Sequence, residues 1–484
     1  MKRGEAWGIV AIAASGALSI ALSWNRWLDP VIDAGRDLYV PVQLAHGAHL
    51  YRDVAYNYPP LAPYALAALV RLFGSSLALY VAIGVVLAAG CASAIYLFAR
   101  RIAGVEAAFT ATLLFTTLCV AGRPNFNFFF PYAHSMTFGA AFAMAFLASS
   151  WWIWGVLACA TKVEFAAVVI AYAAVTKRWL AAALFAAIAF AVTPFPAKLM
   201  HGASGFYARL ARGDWRQILA GVVILGGVAM LSTVPRAIWI APLFVLIPAD
   251  DLLSAAPAVH LALLPLLRKR MGLFPLWCAS VVSTARIPMN VNASYNGFAY
   301  VLPTILLFVC AAFTLFPKTL WMALFIGVSL HALWRPREPV VRVDTAHGDF
   351  FDRDLSRGRV LNEIVAFLAR GAPLSPEAMA VQQPTQETLA VLPEGVSINY
   401  FTGRRTPLRT YLFTPPEFDE SATRDFAAHP PDLVLFVPRA LPEYGSRGFG
   451  VDYAQSLAGL IATRYRHVRT FRHGYYVAEL WRRR

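Results

Sequence analysis

DPVIDAGRDLYVPVQLAHGAHLYRDVAYNYPPLAP, residues 29–63, is the stretch around which the rest of this chain reads. It follows AWGIVAIAASGALSIALSW, residues 6–24, which carries no charge and is long enough to span the roughly 30 Å apolar core of a bilayer. Residues 1–334 hold only 10 Asp and Glu, and four of them (Asp29, Asp33, Asp37 and Asp53) fall in this one loop. Arg36 and Arg52 stand among them, with Tyr39, Tyr51, Tyr56 and Tyr58 close by. A plain connector between two helices needs no such density of acids and bases, so the loop reads as the active-site loop of a membrane enzyme.

Composition points the same way. Of 484 residues, 58% are hydrophobic and 14% charged, with mean hydropathy +0.55. A soluble domain is about a quarter charged. The apolar runs are continuous rather than alternating, which predicts a helical membrane protein and excludes a barrel. Net charge is +15, with 22 Lys+Arg against 10 Asp+Glu in residues 1–334 and 20 against 17 in residues 335–484. The basic excess therefore sits in the membrane part, where lipid phosphates are its counter-ions, and no nucleic acid is expected as a partner. Topogenic charge explains about half of that excess. The five cysteines all lie in apolar segments, so neither a disulfide framework nor a zinc site is expected.

Met1-Lys2-Arg3 predicts a cytoplasmic N-terminus, and the first segment has no small-residue cleavage site, so it reads as a retained anchor. Further apolar segments follow at 76–99, 105–121, 134–149, 180–195, 218–233, 238–248, 257–267, 273–284, 301–316 and 320–333. Residues 61–73 are too short to span and read as a helix lying at the interface. Residues 151–175 are broken by Thr161-Lys162-Val163-Glu164, which predicts two helices hinged at the charges, because charge at mid-span is costly. Arg100-Arg101, Lys177-Arg178 and Arg268-Lys269-Arg270 mark the cytoplasmic side. The total is about 13 spans, with outer loops at 25–75, 122–134, 196–217 and 285–299. Arg26, Arg36, Arg52, Arg123, Lys198, Arg209, Arg212, Arg216 and Arg286 then all fall outside, against the positive-inside rule: either the loop 198–216 is misplaced, or the outer face keeps cations for an anionic ligand such as a polyprenyl phosphate.

Residues 335–484 read as a soluble α/β domain. Helices are expected at 361–370, 421–429 and 453–466, and strands at 388–392, 409–413 and 433–437. Residues 467–471 and 475–481 read as a closing hairpin around His473-Gly474. The domain has no GxGxxG, no P-loop and no HExxH. No internal repeat is visible, which weakens a transporter reading.

Moving a sugar from a lipid phosphate to a hydroxyl needs a carboxylate for the acceptor proton, cations for the leaving phosphate, and aromatic and polar walls for the sugar. Asp33 and Arg36 are three apart and share a face on a helical turn. Asp33 can equally be a helix N-cap, or a surface partner of Arg36. Lys162 and Glu164 can be a mutual ion pair, or a phosphate ligand with its partner. Arg286, Asn290, Asn292, Tyr295 and Asn296 in the fourth loop could grip a sugar or a phosphate.

The first loop resembles that of the GT-C glycosyltransferases, in the lipid A aminoarabinose transferase and protein O-mannosyltransferase branch. The resemblance lies in a first span followed by Asp-x-x-Arg (Asp33, Arg36), then Gly47 and Leu50-Tyr51, then Pro59-Pro60-Leu61 opening a juxtamembrane helix. LPEGVSINYFTGRRTP (392–407) and YGSRGFGVDY (444–453) resemble bacterial RgtA/B/C/D-like members. The resemblance implies Asp33 as the catalytic carboxylate and Arg36 as a ligand of the donor phosphate. Where the aminoarabinose branch has Glu-Lys before the Pro-Pro, this chain has Asn57-Tyr58, so that cation is missing. An Asp common in the second outer loop of the family is also missing, with Tyr132 and His134 the nearest polar groups.

The sequence thus leads to a polytopic α-helical membrane protein, GT-C-like, with a transmembrane catalytic domain at 1–334 and a soluble extracytoplasmic α/β domain at 335–484. The expected activity is transfer of a sugar from a polyprenyl-phosphate donor to an extracytoplasmic lipid, glycan or protein acceptor, in the inner membrane of a cell envelope. Asp33 is the expected base, with Arg36, Lys162 and Arg286 on the donor phosphate. Asp37, Asp53, Asn57, Tyr58, Tyr132, His134, Glu164 and Tyr295 are expected to contact substrate. No cofactor and no metal ligand set are expected. The alternatives are a polytopic transporter or lipid flippase, which would want charges along mid-membrane helices, and a non-catalytic scaffold of envelope assembly, which would tolerate loss of Asp33.

Overall fold

The computed structural model describes residues 3–193, 213–268, 270, 272–295, 297–334, 338–369, 387–415, 417–439, 441 and 444–484. Lys198, Arg209 and Arg212 of the third polar loop, with Lys269 and Asn296, lie outside these residues. The chain folds as two compact units. One comprises Met1–Trp27, Ala82–Thr193 and Leu210–Arg337, and the other Leu28–Val81, Pro194–Arg209 and Glu338–Arg484. The polar loop at 29–63 thus counts with the C-terminal residues, not with the apolar helices.

The first unit is helical. Glu5–Leu22 and Leu77–Ala103, the latter belonging to this unit from Ala82 onward, are apolar and long enough to cross a bilayer, and ten further apolar helices of 10–17 residues are described in the chain. Trp7, Val86, Leu180 and Phe190 on these helices are 70% to 90% exposed. Side chains of this size are favoured against lipid and disfavoured against water, and with so few charges the chain is a membrane protein. Several helices follow the sequence expectation closely, among them His134–Ser149, Leu273–Thr284 and Leu302–Leu315. The charged break at 161–164 also divides two helices, Trp152–Cys159 and Val163–Val175. Thr161 helps end the first by donating its hydroxyl to Ala158 O at 2.7 Å, and Lys162 is extended at φ −159°, ψ 136°.

The second unit is α/β. Its sheet runs in the order β3 (Leu389–Leu392), β4 (Leu433–Phe436), β6 (Tyr476–Arg483) and β5 (Tyr465–His473), after a separate hairpin of β1 (Val341–Thr345) and β2 (Gly348–Asp352). β3 and β4 are parallel, β4 and β6 antiparallel, and β5–β6 is the expected hairpin, with Gly474 at φ +54° in its turn. Helices form at Leu355–Leu368, Glu420–Ala428 and Gln455–Arg464 as expected, and at Ser397–Thr402 unexpectedly. The strand expected at 409–413 does not form. Its apolar residues are buried, but Arg409 O accepts from Ala55 N and Phe413 N donates to Pro393 O, single bonds that build no ladder.

Helix Ala34–Ala45 sits inside this unit with ten of its residues buried. It packs on Leu61–Phe73 and on Ser397–Thr402. Gly35 allows the second approach, since a Cβ there would come within 2.5 Å of Ser397 N. Ser397 Oγ donates to Pro30 O, and Thr406 N donates to Tyr39 Oη at 3.0 Å. These contacts bind the 30–45 segment to the residues near 400.

Candidate active site

In the second unit, the site is built from the turn that enters helix Ala34–Ala45. Asp29 Oδ1 accepts from Val31 N and Ile32 N at 3.0 and 3.1 Å and pairs with Arg357 at 3.1 Å, so this carboxylate shapes the turn. Asp33 follows with φ 50°, ψ −57° and makes no side-chain capping hydrogen bond to the helix. The N-cap alternative for its carboxylate is therefore not what forms. Its backbone N–H instead donates to Glu394 Oε1 at 2.6 Å.

Glu394 is 2% exposed, and its other oxygen accepts from Arg439 Nε at 2.9 Å. Burial, then the charge of Asp33, pushes its carboxyl up to about 8 against the pull of Arg439. Glu417 is raised from the carboxylate range by burial, while the Arg36 charge and an Asn57 side-chain hydrogen bond lower it and Asp33 raises it. Arg36 is buried, with Nη1 3.5 Å from Glu417 Oε1 and Nε 3.6 Å from Asp37 Oδ1. Its guanidinium lies 5.0 Å from the Tyr58 ring centre and 5.5 Å from that of Tyr56. Burial opposes its charge, but Tyr58, Glu417 and Asp37 outweigh this, so Arg36 is held firmly cationic. Its Nε and Nη2 make no hydrogen bond among the described residues. Tyr56 Oη donates to Asp37 Oδ1 at 3.4 Å.

This cluster gathers Asp33, Arg36, Asp37, Asn57 and Tyr58 of the sequence expectation and adds Glu394, Glu417 and Arg439. Asp53 is engaged elsewhere. It is partly exposed and pairs with Arg52 at 2.8 Å and with His49, and Arg52 holds its carboxyl well below the usual range.

In the first unit the break at Lys162 organises a second cluster. Arg286 Nη1 pairs with Glu164 Oε1 and donates to Tyr300 Oη at 3.1 Å, and Tyr300 Oη donates to the same Glu164 oxygen at 3.1 Å. Lys162 is 1% exposed, with Nζ 5.2 Å from the Tyr132 ring centre. Lys162 also acts electrostatically on Glu164, and Tyr132 is a hydrogen-bond neighbour of Tyr300. His134 is buried at the start of helix His134–Ser149. Tyr295 is half exposed, its ring 4.5 Å from that of Phe126. The ion pair that Glu164 makes is with Arg286, joined by Tyr300, while Lys162 acts on it through its charge.

Glu394, Glu417, Arg439 and Tyr300 were not legible as site residues. Asp33 and Glu394 are 361 positions apart, and no spacing rule reaches that far. The one signal was that Glu394 lies in the 392–407 stretch of the family resemblance. Among the described residues no group of His, Cys, Asp and Glu could hold a metal ion.

No family model matches the chain, and neither does any curated protein. Solved structures of GT-C glycosyltransferases are similar to it. One is an oligosaccharyltransferase of Archaeoglobus fulgidus, at 12% identity and TM-score 0.46, over 88% of this chain and 67% of that one. Another is ArnT of Cupriavidus metallidurans bound to undecaprenyl phosphate, at 14% identity and TM-score 0.42, over 98% of each chain. At that level no residue-by-residue correspondence follows, and roles have to come from this chain's own geometry.

Proposed function

We propose that this chain is a glycosyltransferase that moves a sugar from a polyprenyl phosphate to an extracytoplasmic lipid, glycan or protein acceptor, with Asp33 as base. One observation carries the reading. A carboxylate whose side chain does not cap its helix stands beside a carboxyl held protonated to about pH 8 and an arginine whose Nε and Nη2 make no hydrogen bond among the described residues. Pairs of acids set apart by their surroundings are how proteins divide acid and base roles. The acceptor hydroxyl attacks the anomeric carbon while the bond from that carbon to the phosphate oxygen breaks. The proton passes to Asp33, the electron pair leaves with the phosphate, and the sugar inverts. Arg36 takes the growing phosphate charge with its open N–H groups.

Lys162 and Arg286 are proposed as a further phosphate-holding group, with Glu164 and Tyr300 fixing the guanidinium. Asp37, Asn57, Tyr58, Tyr132, His134 and Tyr295 are proposed to line substrate. Membranes holding the chain are expected to release polyprenyl phosphate from at least one of a panel of lipid-linked sugars, and Asp33→Asn membranes from none. Silence of the wild type across the panel overturns the reading. The accompanying topology is proposed as about 13 spans with the N-terminus cytoplasmic and residues 335–484 outside. Reporter fusions at Gly348 and Gly445 are expected to behave as exported and one at Arg101 as cytoplasmic. A cytoplasmic signal at Gly348 and Gly445 rejects that orientation.

A further inference from the structure

The sheet of the second unit carries an open cavity of about 420 Å³ that the proposed chemistry leaves unused. That volume is within the usual ~300–1,000 Å³ of small-ligand sites. Phe436 of β4, Trp481 of β6 and Phe449 line it, with Arg439, Glu479 and Ala462. The three rings form a wall, Phe436 standing 5.9 Å from Phe449 and 6.3 Å from Trp481 between centres. They pack against the unit's core yet are only partly buried. Aromatic faces left open to water in a cavity gain free energy when a ligand covers them.

The charged residues narrow the class of ligand. Trp481 Nε1 donates to Glu479 Oε2 at 3.3 Å, and Arg439 Nε donates to Glu394 Oε2 at 2.9 Å. A ligand on this wall therefore meets flat apolar faces together with a carboxylate and a guanidinium. An acyl chain covers the rings but takes water from both charged groups and returns no hydrogen bond to either, which is costly. A pyranose has an apolar C–H face and a rim of hydroxyls that both donate and accept. Arg439 also joins the cavity to Glu394, and through Glu394 to Asp33, all within this unit.

We propose that this cavity binds a pyranose saccharide, its C–H face on Trp481 and Phe449 and its hydroxyls at Glu479 and Arg439. If the transferase reading holds, on which this clause alone rests, the saccharide is the carbohydrate part of the acceptor. The full chain in lipid nanodiscs is titrated with methyl glycosides of mannose, galactose and N-acetylglucosamine and, separately, with decanoate, read by saturation-transfer NMR and tryptophan fluorescence. At least one glycoside is expected to bind saturably. Ala462→Trp, which fills the mouth without removing a packed side chain, is expected to weaken that binding at least about tenfold, as is Trp481→Ala, with Trp481→Phe keeping most of it. Binding of decanoate alone, binding of no glycoside, or glycoside binding untouched in Ala462→Trp overturns the proposal. Asp33→Asn is expected to bind the glycoside as wild type does, so its transfer defect tests the transferase reading separately.

Discussion

The two polar clusters differ in the sign of their surplus. The cluster at the helix break sets two cations, Lys162 and Arg286, against one carboxylate, Glu164. The cluster around helix Ala34–Ala45 sets four carboxylates, Asp33, Asp37, Glu394 and Glu417, against Arg36 and Arg439. Buried charge is tolerated only when it is paired or when a proton neutralises it. Among the described residues, the first cluster counts one more cation than carboxylates. The second relieves part of its excess at Glu394, whose carboxyl is raised to about 8, so that a proton does there what a further cation would otherwise do. The roles proposed for them, phosphate holding for the first and proton handling for the second, follow this contrast, and it orders the tests.

The largest effect is expected at Asp33. Asp33→Asn keeps size and hydrogen bonding and is expected to insert and bind the lipid donor while transfer falls roughly 10²–10⁴-fold. Asp53→Asn, changed at its exposed pair with Arg52, is expected to transfer normally at equal expression. Near-normal transfer by Asp33→Asn with a dead Asp53→Asn moves the base to Asp53. If Asp33→Asn, Asp37→Asn and Asp53→Asn are all active, the carboxylate cluster is not catalytic.

Next comes Arg36. Arg36→Ala is expected to lower turnover about 10²–10³-fold. It also strips Asp37 and Glu417 of their buried cation, at a stability cost of about 3–5 kcal/mol, so thermal unfolding is measured alongside. Arg36→Lys keeps the charge and is expected to fold and to recover only part of the turnover, since an ammonium cannot reproduce a two-pronged contact. Full turnover in Arg36→Lys removes the forked phosphate grip.

Lys162→Met probes the other cluster. If its charge meets the donor phosphate, kcat/KM for the donor is expected to fall about ten- to a hundredfold. Unchanged kcat/KM makes Lys162 a structural partner of Glu164 and Tyr132.

The smallest effect concerns pH. Glu394 titrates near 8 in the folded chain against 4.5 for a free carboxyl, so the fold binds this proton more tightly than the unfolded chain does. The resulting stabilisation is full below about pH 4.5, is lost as pH rises toward 8, and changes no further above that. Glu394→Gln is expected to flatten the fall of Tm between pH 5 and 8 relative to wild type. Parallel Tm curves for the two proteins contradict the raised carboxyl.

Legibility followed the range of the interaction concerned. The helix break at Lys162 and the β5–β6 hairpin around His473-Gly474 were readable because each depends on neighbours a few positions away. The β1–β2 hairpin was missed, as β1 carries the charged sequence VRVDT with one buried residue. Residues 409–413 looked like a strand because they are apolar. They are buried as a strand would be, but a sheet partner is a tertiary matter, and theirs are single bonds to Pro393 and Ala55. Within the site, Asp33, Arg36, Asp37, Asn57 and Tyr58 came from one loop and could be read together, while Glu394, Glu417 and Arg439 come from the far end of the chain.

The amino-acid sequence alone determined that this is a helical membrane protein with an α/β part after residue 335, because hydropathy, charge density and periodicity are properties of local composition. It also singled out the loop at 29–63, since a concentration of acids, arginines and tyrosines shows without a fold. Tertiary structure alone decided what those groups face. Gly35 lets Ser397 come against the helix after Asp33, and Glu394 and Glu417 arrive with the residues that follow. A carboxylate's proton affinity depends on the burial and charge around it within a few ångströms, and the Asp33 charge that raises Glu394 lies 361 positions away along the chain.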